Sequence, residues 1–295
     1  MKNILFYTLI FILPLFGNGK NEDDKDVIIR DHFHYFIKEV DRLEVEIDFQ
    51  MGQLDLLPNK ENPTDFDGFS EYSPIHFESP DIHYYVIGNS GQLDIRTNPR
   101  DHSEDNSFSF SWDKEQFHNK SEFKLPLNLP TDVELDFGMG EANLDLSGIQ
   151  ISLLNIECGM GSVELEINTQ NNIQCEIVDI QTGMGEFTGR GLSHLNSEIV
   201  NIEVGMGAAE LDFSDPISRD MEIELEVGLG SIELILPDNV NISAKVHDHF
   251  LSSIELEGLV KKRNKYISEH WDSSKPTVTL DMSVGLGSIE LEIAD

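Results

Sequence analysis

The sequence predicts an all-β protein, a parallel stacked-strand solenoid of β-helix type with about nine Gly-x-Gly turns and irregular amino-terminal turns. Three observations predict it. First, one phrase recurs: Phe137-Gly-Met-Gly-Glu-Ala-Asn-Leu-Asp-Leu146, Cys158-Gly-Met-Gly-Ser-Val-Glu-Leu-Glu-Ile167 and Val284-Gly-Leu-Gly-Ser-Ile-Glu-Leu-Glu-Ile293 are three copies. The second glycines fall at Gly140, Gly161, Gly185, Gly207, Gly230 and Gly287, spaced by 21, 24, 22, 23 and 57 residues. Second, apolar residues alternate on both sides of the glycines, as in Leu135, Phe137, then Ala142, Leu144 and Leu146, which is the period of strands with one buried face. Third, glycines flanking a Met or Leu supply backbone freedom where one strand segment passes into the next.

Along the chain, residues 1–19 have the parts of a signal peptide: Lys2, an apolar run from Ile4 to Phe16, then Gly17 and Gly19 before acidic residues. The run is too short for a spanning helix, which needs about 20 apolar residues. Residues 20–130 form an amino-terminal region continuous with the stack. Asp26 to Val40 fits either a capping helix or a first strand, residues 57–80 and 100–106 read as loops, and Phe108, Phe110 and Trp112 alternate as a strand does. Two further copies of the phrase sit around Gly52 and Gly91.

Residues 131–295 are the repeat solenoid. The 57-residue gap hides a degenerate copy, Phe250-Leu-Ser-Ser-Ile-Glu-Leu256, with Ser252 in the glycine position, followed by an inserted loop at 259–277. The last copy ends at Asp295 and is expected to leave an unpaired strand edge unless acidic side chains, the amino-terminal region or another copy covers it. Cys158 and Cys175 lie in alternating apolar contexts, compatible with a bridge in an exported chain or with two free buried thiols.

At this point the residues carry a resemblance. The stretch from Ser107 to Ile149, above all Phe-Gly-Met-Gly-Glu-Ala-Asn-Leu-Asp-Leu-Ser-Gly, resembles the toastrack domain of bacterial envelope proteins. The Val-Gly-Leu-Gly-Ser-Ile-Glu-Leu copies, with the loop from Tyr266 to Lys275, resemble the LiaF-like (cell-wall-active antibiotic response) and putative-adhesin families. The resemblance implies a stacked β-solenoid without catalytic residues, in envelope-stress sensing or surface attachment. The chain lacks the several membrane helices of LiaF.

Stacking turns each outward position into a column. Three residues after the second glycine the column reads Asp55, Asp94, Asn143, Glu164, Thr188, Glu210, Glu233, Glu255 and Glu290. Carboxylates one strand apart, at about 4.8 Å, attract cations, so a divalent cation such as calcium is one reading; a solvated acidic face is the plainer one. Arg190 occupies the position of Glu166 one turn earlier and Asp212 one turn later, and is expected between those carboxylates as charge balance. The histidine pairs His32/His34 and His247/His249 share a strand face at i, i+2; the second pair replaces inward apolar residues, and structural roles are favoured over metal ligation. In the insertion, Lys261, Arg263, Tyr266 and Trp271 are candidate binding residues, either on a protruding recognition loop or on a hairpin covering the side of the stack.

The net charge of −35, from 20 basic and 55 acidic residues, excludes a generic nucleic-acid binder. Gly-x-Gly here precedes neither a dinucleotide-type helix nor a Lys-Ser/Thr pair. The reading is an exported, non-enzymatic envelope protein, periplasmic, cell-surface or secreted, with a binding, adhesin-like or scaffolding role. Its partner is an envelope component or protein; no metal or other cofactor is expected, and no transmembrane domain after signal cleavage. Two alternatives stay open: an envelope-stress sensing component acting through a partner, and a carbohydrate-active β-helix enzyme, which needs acids and an arginine converging in a cleft.

Overall fold

The computed structural model describes residues 27–100, 118–247 and 252–294. The expected signal peptide, the strand around Phe108 to Trp112 and His249 lie outside the described residues. In chain order the strands are β1 (Ile29–Phe36), β2 (Arg42–Pro58), β3 (Asp65–Tyr72), β4 (Asp81–Ile87), β5 (Ser90–Thr97), β6 (Asn119–Leu125), β7 (Pro130–Asp145) and β8 (Gln150–Glu166). They continue with β9 (Cys175–Arg190), β10 (Ser197–Asp212), β11 (Met221–Pro237), β12 (Asn241–His247), β13 (Ser253–Leu256), β14 (Leu259–Lys262), β15 (Lys265–Ser268) and β16 (Thr277–Ala294). One short 3-10 turn, Leu192–Leu195, interrupts them.

Seven strands, β2, β7 to β11 and β16, are 16 to 18 residues long and pair in parallel. A straight strand of that length would span about 53 Å. Four residues separate the end of β7 from the start of β8, and they bridge roughly 18 Å at most. Each long strand must therefore double back on itself, and the inward pattern shows where: Phe137 and Ala142 are both buried, five residues apart, so the parity of burial switches across Gly138-Met139-Gly140. Both halves of every rung thus turn their apolar sides to one core. Leu144, Leu165, Leu211, Leu234 and Leu291 stack within it in register. The column has one gap, Gly189, where Leu192 of the 3-10 turn fills the space: a β-carbon there would meet its Cδ1 at 2.9 Å.

The second glycines are required by the stacking itself. A β-carbon on Gly207 would lie 1.8 Å from the carbonyl oxygen of Gly185, and one on Gly287 would lie 1.9 Å from that of Gly230. Gly52, Gly140, Gly161 and Gly207 also hold φ between 131° and 150°, a region costly for other residues.

The sheet order is β1-β3-β6-β2-β7-β8-β9-β10-β11-β16-β12-β15-β14, with β5 also on β2 and β13 also on β16. It corrects four expectations. The last repeat is not an edge: β16 lies inside the sheet, with β11 on one side and β12 and β13 on the other. The reason is continuity: the intact last copy pairs with β11 from Met221 opposite Val278 to Pro237 opposite Ala294, whereas the copy carrying Ser252 is divided into β12 and β13 and takes the end position. Next, Gly91 is no rung glycine. It pairs with Leu43, and the place opposite Gly52 belongs to Asn119, because this rung is divided between β5 and β6.

Residues 57–80 are also more than a loop. They contain β3, whose alternation is obscured by polar residues on its inner side, such as Ser70, which bonds the equally buried Ser121 at 2.8 Å. Of the span 26–40, Ile29–Phe36 form strand β1, paired antiparallel with β3. Finally, His247 points outward rather than into the core.

Cys158 and Cys175 are free and buried. Cys158 is opposite Thr182, seven residues along β9 from Cys175, or about 23 Å, far beyond disulfide reach.

Candidate functional site

The outer column is real in register but differs in membership from the sequence pattern. Asp94 pairs with Glu46 instead, and Glu122 of β6 stands opposite Asp55. From the amino-terminal end the column reads Glu122, Asp55, Asn143, Glu164, Thr188, Glu210, Glu233, Glu290 and Glu255.

Its two halves are electrostatically unlike. In the first, Lys124 lies 3.2 Å from Glu122, Lys120 lies 3.2 Å from Asp55, and Asn143 donates to Asp55 at 2.8 Å. In the second, Glu210, Glu233, Glu290 and Glu255 follow one another without a break, and no basic side chain pairs with them among the described residues.

Arg190 lies on the rung between the halves and, among the described residues, pairs only with the first. It is in register with Glu166, yet its Nη1 lies 3.4 Å from Glu164 Oε2, a diagonal neighbour. The expected second carboxylate, Asp212, is engaged elsewhere, accepting the Ser214 N–H at 2.8 Å to form the turn after β10.

The insertion 259–277 is a hairpin of β14 and β15, with β15 pairing antiparallel to β12, so it covers the sheet's carboxy-terminal flank. Lys261 and Tyr266 face each other, with the ammonium 5.3 Å from the ring centroid, and Tyr266 packs against the core. Arg263 sits at the tip with φ 62°. Trp271 lies beyond the hairpin and is 47% exposed. The following turn is fixed by buried Asn241, which accepts the Asp272 N–H at 2.9 Å and donates to the carbonyls of Asp272 and Lys275 at 2.7 and 3.2 Å.

One histidine of each predicted pair is engaged by a carboxylate, while His32 lies beside the Phe69 ring at 6.1 Å between centroids. His34 Nδ1 lies 2.6 Å from Asp67 Oδ1, and His247 Nε2 lies 2.8 Å from Asp281 Oδ1, beside Lys245 at 3.2 Å from the same carboxylate. Burial pushes Asp67 upward, but hydrogen bonds from His34, Asn59 and Asn62 outweigh it and hold this carboxyl below its ordinary value. Among the described residues no cluster of three or more His, Cys, Asp or Glu side chains could hold a metal, and no helix is long and apolar enough to cross a membrane.

Sequence reasoning missed the residue between the glycines. Met51, Met139, Met160, Met184, Met206, Leu229 and Leu286 are mutually in register along the outside of the bend. The last five are 39% to 48% exposed. The signal was present: an odd number of steps between buried Phe137 and buried Ala142 leaves the middle of the phrase on the convex side.

Two solved structures align with most of the chain. A putative cell adhesion protein from Clostridium sporogenes ATCC 15579 aligns over 90% of this chain and 100% of its own, at 18% identity and a TM-score of 0.44. A putative adhesin from Bacteroides fragilis NCTC 9343 aligns over 90% and 97%, at 14% identity and a TM-score of 0.37. No curated protein matches the chain. The family described as the N-terminal domain of toast_rack, DUF2154, matches residues 17–190, more than half the chain and through the end of β9, and the protein belongs to that family.

Proposed function

We propose that this chain is an exported, non-enzymatic protein of the cell envelope with an adhesin-like binding or scaffolding role. One observation carries the reading: the exterior repeats like side chains rung after rung, Met or Leu at the bend and Glu210, Glu233 and Glu290 in the outer column. Such a surface offers many equivalent contacts along a line, which suits avid attachment to an extended partner. Catalysis needs the reverse, unlike groups converging on one point. Glu164, Arg190 and Glu210, the residues a polyuronide-cleaving site would draw on, stand exposed on three neighbouring strands of one wall. Calcium needs six to eight converging oxygens, and a column one side chain wide presents them in a row, so the reading assigns it no cation.

Expressed in a bacterial host with an oxidising envelope, the full chain is expected in the periplasmic or surface fraction, and a form lacking residues 1–19 in the cytoplasm. Equal cytoplasmic recovery of both forms refutes export. Purified protein should pellet with isolated envelope material; failure to pellet refutes attachment.

A further inference from the structure

The bend column is an apolar stripe on the outside of a strongly acidic molecule. Met160, Met184, Met206, Leu229 and Leu286 succeed one another on β8, β9, β10, β11 and β16. Each is 39% to 48% exposed. Four strand spacings make the stripe about 19 Å long. The stacking of glycines keeps the backbone beneath it invariant, yet nothing in that stacking demands a large apolar side chain pointing outward. Methionine is also the residue best able to mould itself to a partner.

The flanks define what would lie there. Three residues before the stripe stand the exposed Glu157, Glu203 and Glu226, and four residues after it stand the exposed Glu164, Glu210 and Glu233. Both walls that meet at the bend are therefore acidic. That pattern repels an anionic bilayer and opposes a second copy of this chain, whose own stripe has the same acidic borders. It fits a cationic partner with an apolar seam.

The spacing then selects its conformation. Side chains along one face of an extended strand recur at about 6.7 Å, and those of an α-helix at about 5.4 Å per turn. The rungs recur at about 4.8 Å, so over four spacings a helix drifts by roughly half a rung, whereas a strand drifts by more than a whole one.

We propose that the Met/Leu bend column docks a cationic amphipathic helix of a protein partner. Some thirteen residues of such a helix cover the stripe. Its i, i+3/i+4 apolar rows straddle the ridge, and its lysines or arginines reach the two acidic walls. This rests on the binding role proposed above and names its surface and partner class.

The test uses the full chain and two labelled synthetic peptides of 18 residues with identical Leu and Lys content. One has leucines at i, i+3, i+4 and i+7, and the other has the order scrambled. Fluorescence anisotropy at physiological salt is expected to show at least tenfold tighter binding of the helical peptide. Replacing Met184 and Met206 by Gln should weaken it at least tenfold, while Met184→Leu with Met206→Leu should retain it, all with unchanged thermal melts. Glu203→Gln with Glu210→Gln should weaken binding and flatten its salt dependence. Equal binding of the two peptides, or Gln variants that bind as the parent does, overturns the proposal. Envelope pelleting is scored on the same Gln variants. Pelleting without peptide discrimination sinks the ridge alone, whereas peptide discrimination without pelleting sinks envelope attachment alone.

Discussion

Between β7 and β11 every strand lies beside the strand before it in the chain, while at both ends of the sheet the outermost rung is divided between two short strands. At the amino-terminal end β5 and β6 share one rung against β2, and each is backed by an antiparallel partner, β4 or β3. At the carboxy-terminal end β12 and β13 share one rung against β16, and the hairpin of β14 and β15 backs β12. A parallel stack offers its whole terminal rung as a template for another chain. Splitting that rung and turning antiparallel hairpins over it removes the long flat edge. The middle is thus built for propagation and the ends for termination.

The largest expected effect tests what makes the middle propagate. Gly207→Ala would drive a methyl group to 1.8 Å from the Gly185 carbonyl oxygen at φ 150°. The rungs cannot part without losing their register, so a loss of about 4 kcal/mol or more is expected by urea unfolding. Gly148, in the open turn after β7, has φ 84° and nothing within 4 Å of a β-carbon. Gly148→Ala should cost only about 1 kcal/mol. Equal costs would mean that the bend glycines serve chain flexibility rather than close stacking.

The same contrast decides what the sequence could reveal. Where sheet order equals chain order, the repeat announces itself: Gly140 through Gly230 could be placed in register from spacing alone. At the ends the pairing is non-local, and a motif does not state its neighbour. Asn89-Ser-Gly-Gln-Leu-Asp-Ile95 looks like a rung yet joins β2 at Leu43 rather than at Gly52, whose place belongs to Asn119 beside β6. The insertion of β16 between β11 and β12 was hidden for the same reason, although Ser252 in place of glycine was a visible hint. Of the candidate binding residues, Lys261 and Tyr266 do come together, since a hairpin is local, whereas the diagonal reach of Arg190 to Glu164 depends on side-chain length and on Asp212 being taken by a turn.

The next effect concerns how each region holds its turns. Asn241, 1% exposed, ties the turn after the hairpin through three hydrogen bonds, and Asn171 in the middle donates to the carbonyls of Ile151 and Leu195 at 2.6 and 3.1 Å. Either Asn→Ala change leaves buried groups unpaired and should cost about 2 kcal/mol. Hydrogen exchange separates them: Asn241→Ala should deprotect residues 269–277 well below global unfolding. Asn171→Ala should change protection only through the global equilibrium, because rungs on both sides restrain its turns.

In the middle of the core, Thr182 occupies the column between Cys158 and Val204 and is 3% exposed, with no partner for its hydroxyl. Thr182→Val should stabilise the protein by about 1 kcal/mol, read as a higher urea midpoint at unchanged slope. The neighbouring thiols give a pH test. Burial pushes Cys158 up to about 11 and Cys175 up to about 12. The folded state favours their protonated forms, so this contribution is intact below the ordinary thiol value near 9 and is lost as pH climbs toward 11 to 12. At pH 8 a thiol reagent should label neither cysteine in the native protein and both in urea.

The smallest effects compare the two halves of the acidic column, and their signs should be opposite. Glu164 has Arg190 at 3.4 Å, so Glu164→Gln removes an attraction and should lower stability by a few tenths of a kcal/mol. Glu233 stands between Glu210 and Glu290 on β10 and β16, so Glu233→Gln removes repulsion from both sides and should raise stability by a similar amount. At 1 M salt, where screening acts over about 3 Å, both differences should shrink toward zero. Melting temperatures at low and high salt measure this directly. If Glu233→Gln destabilises at low salt, the unbroken carboxylate run is held by a bound cation, and it would then have to be reassigned from an acidic face to an ion site.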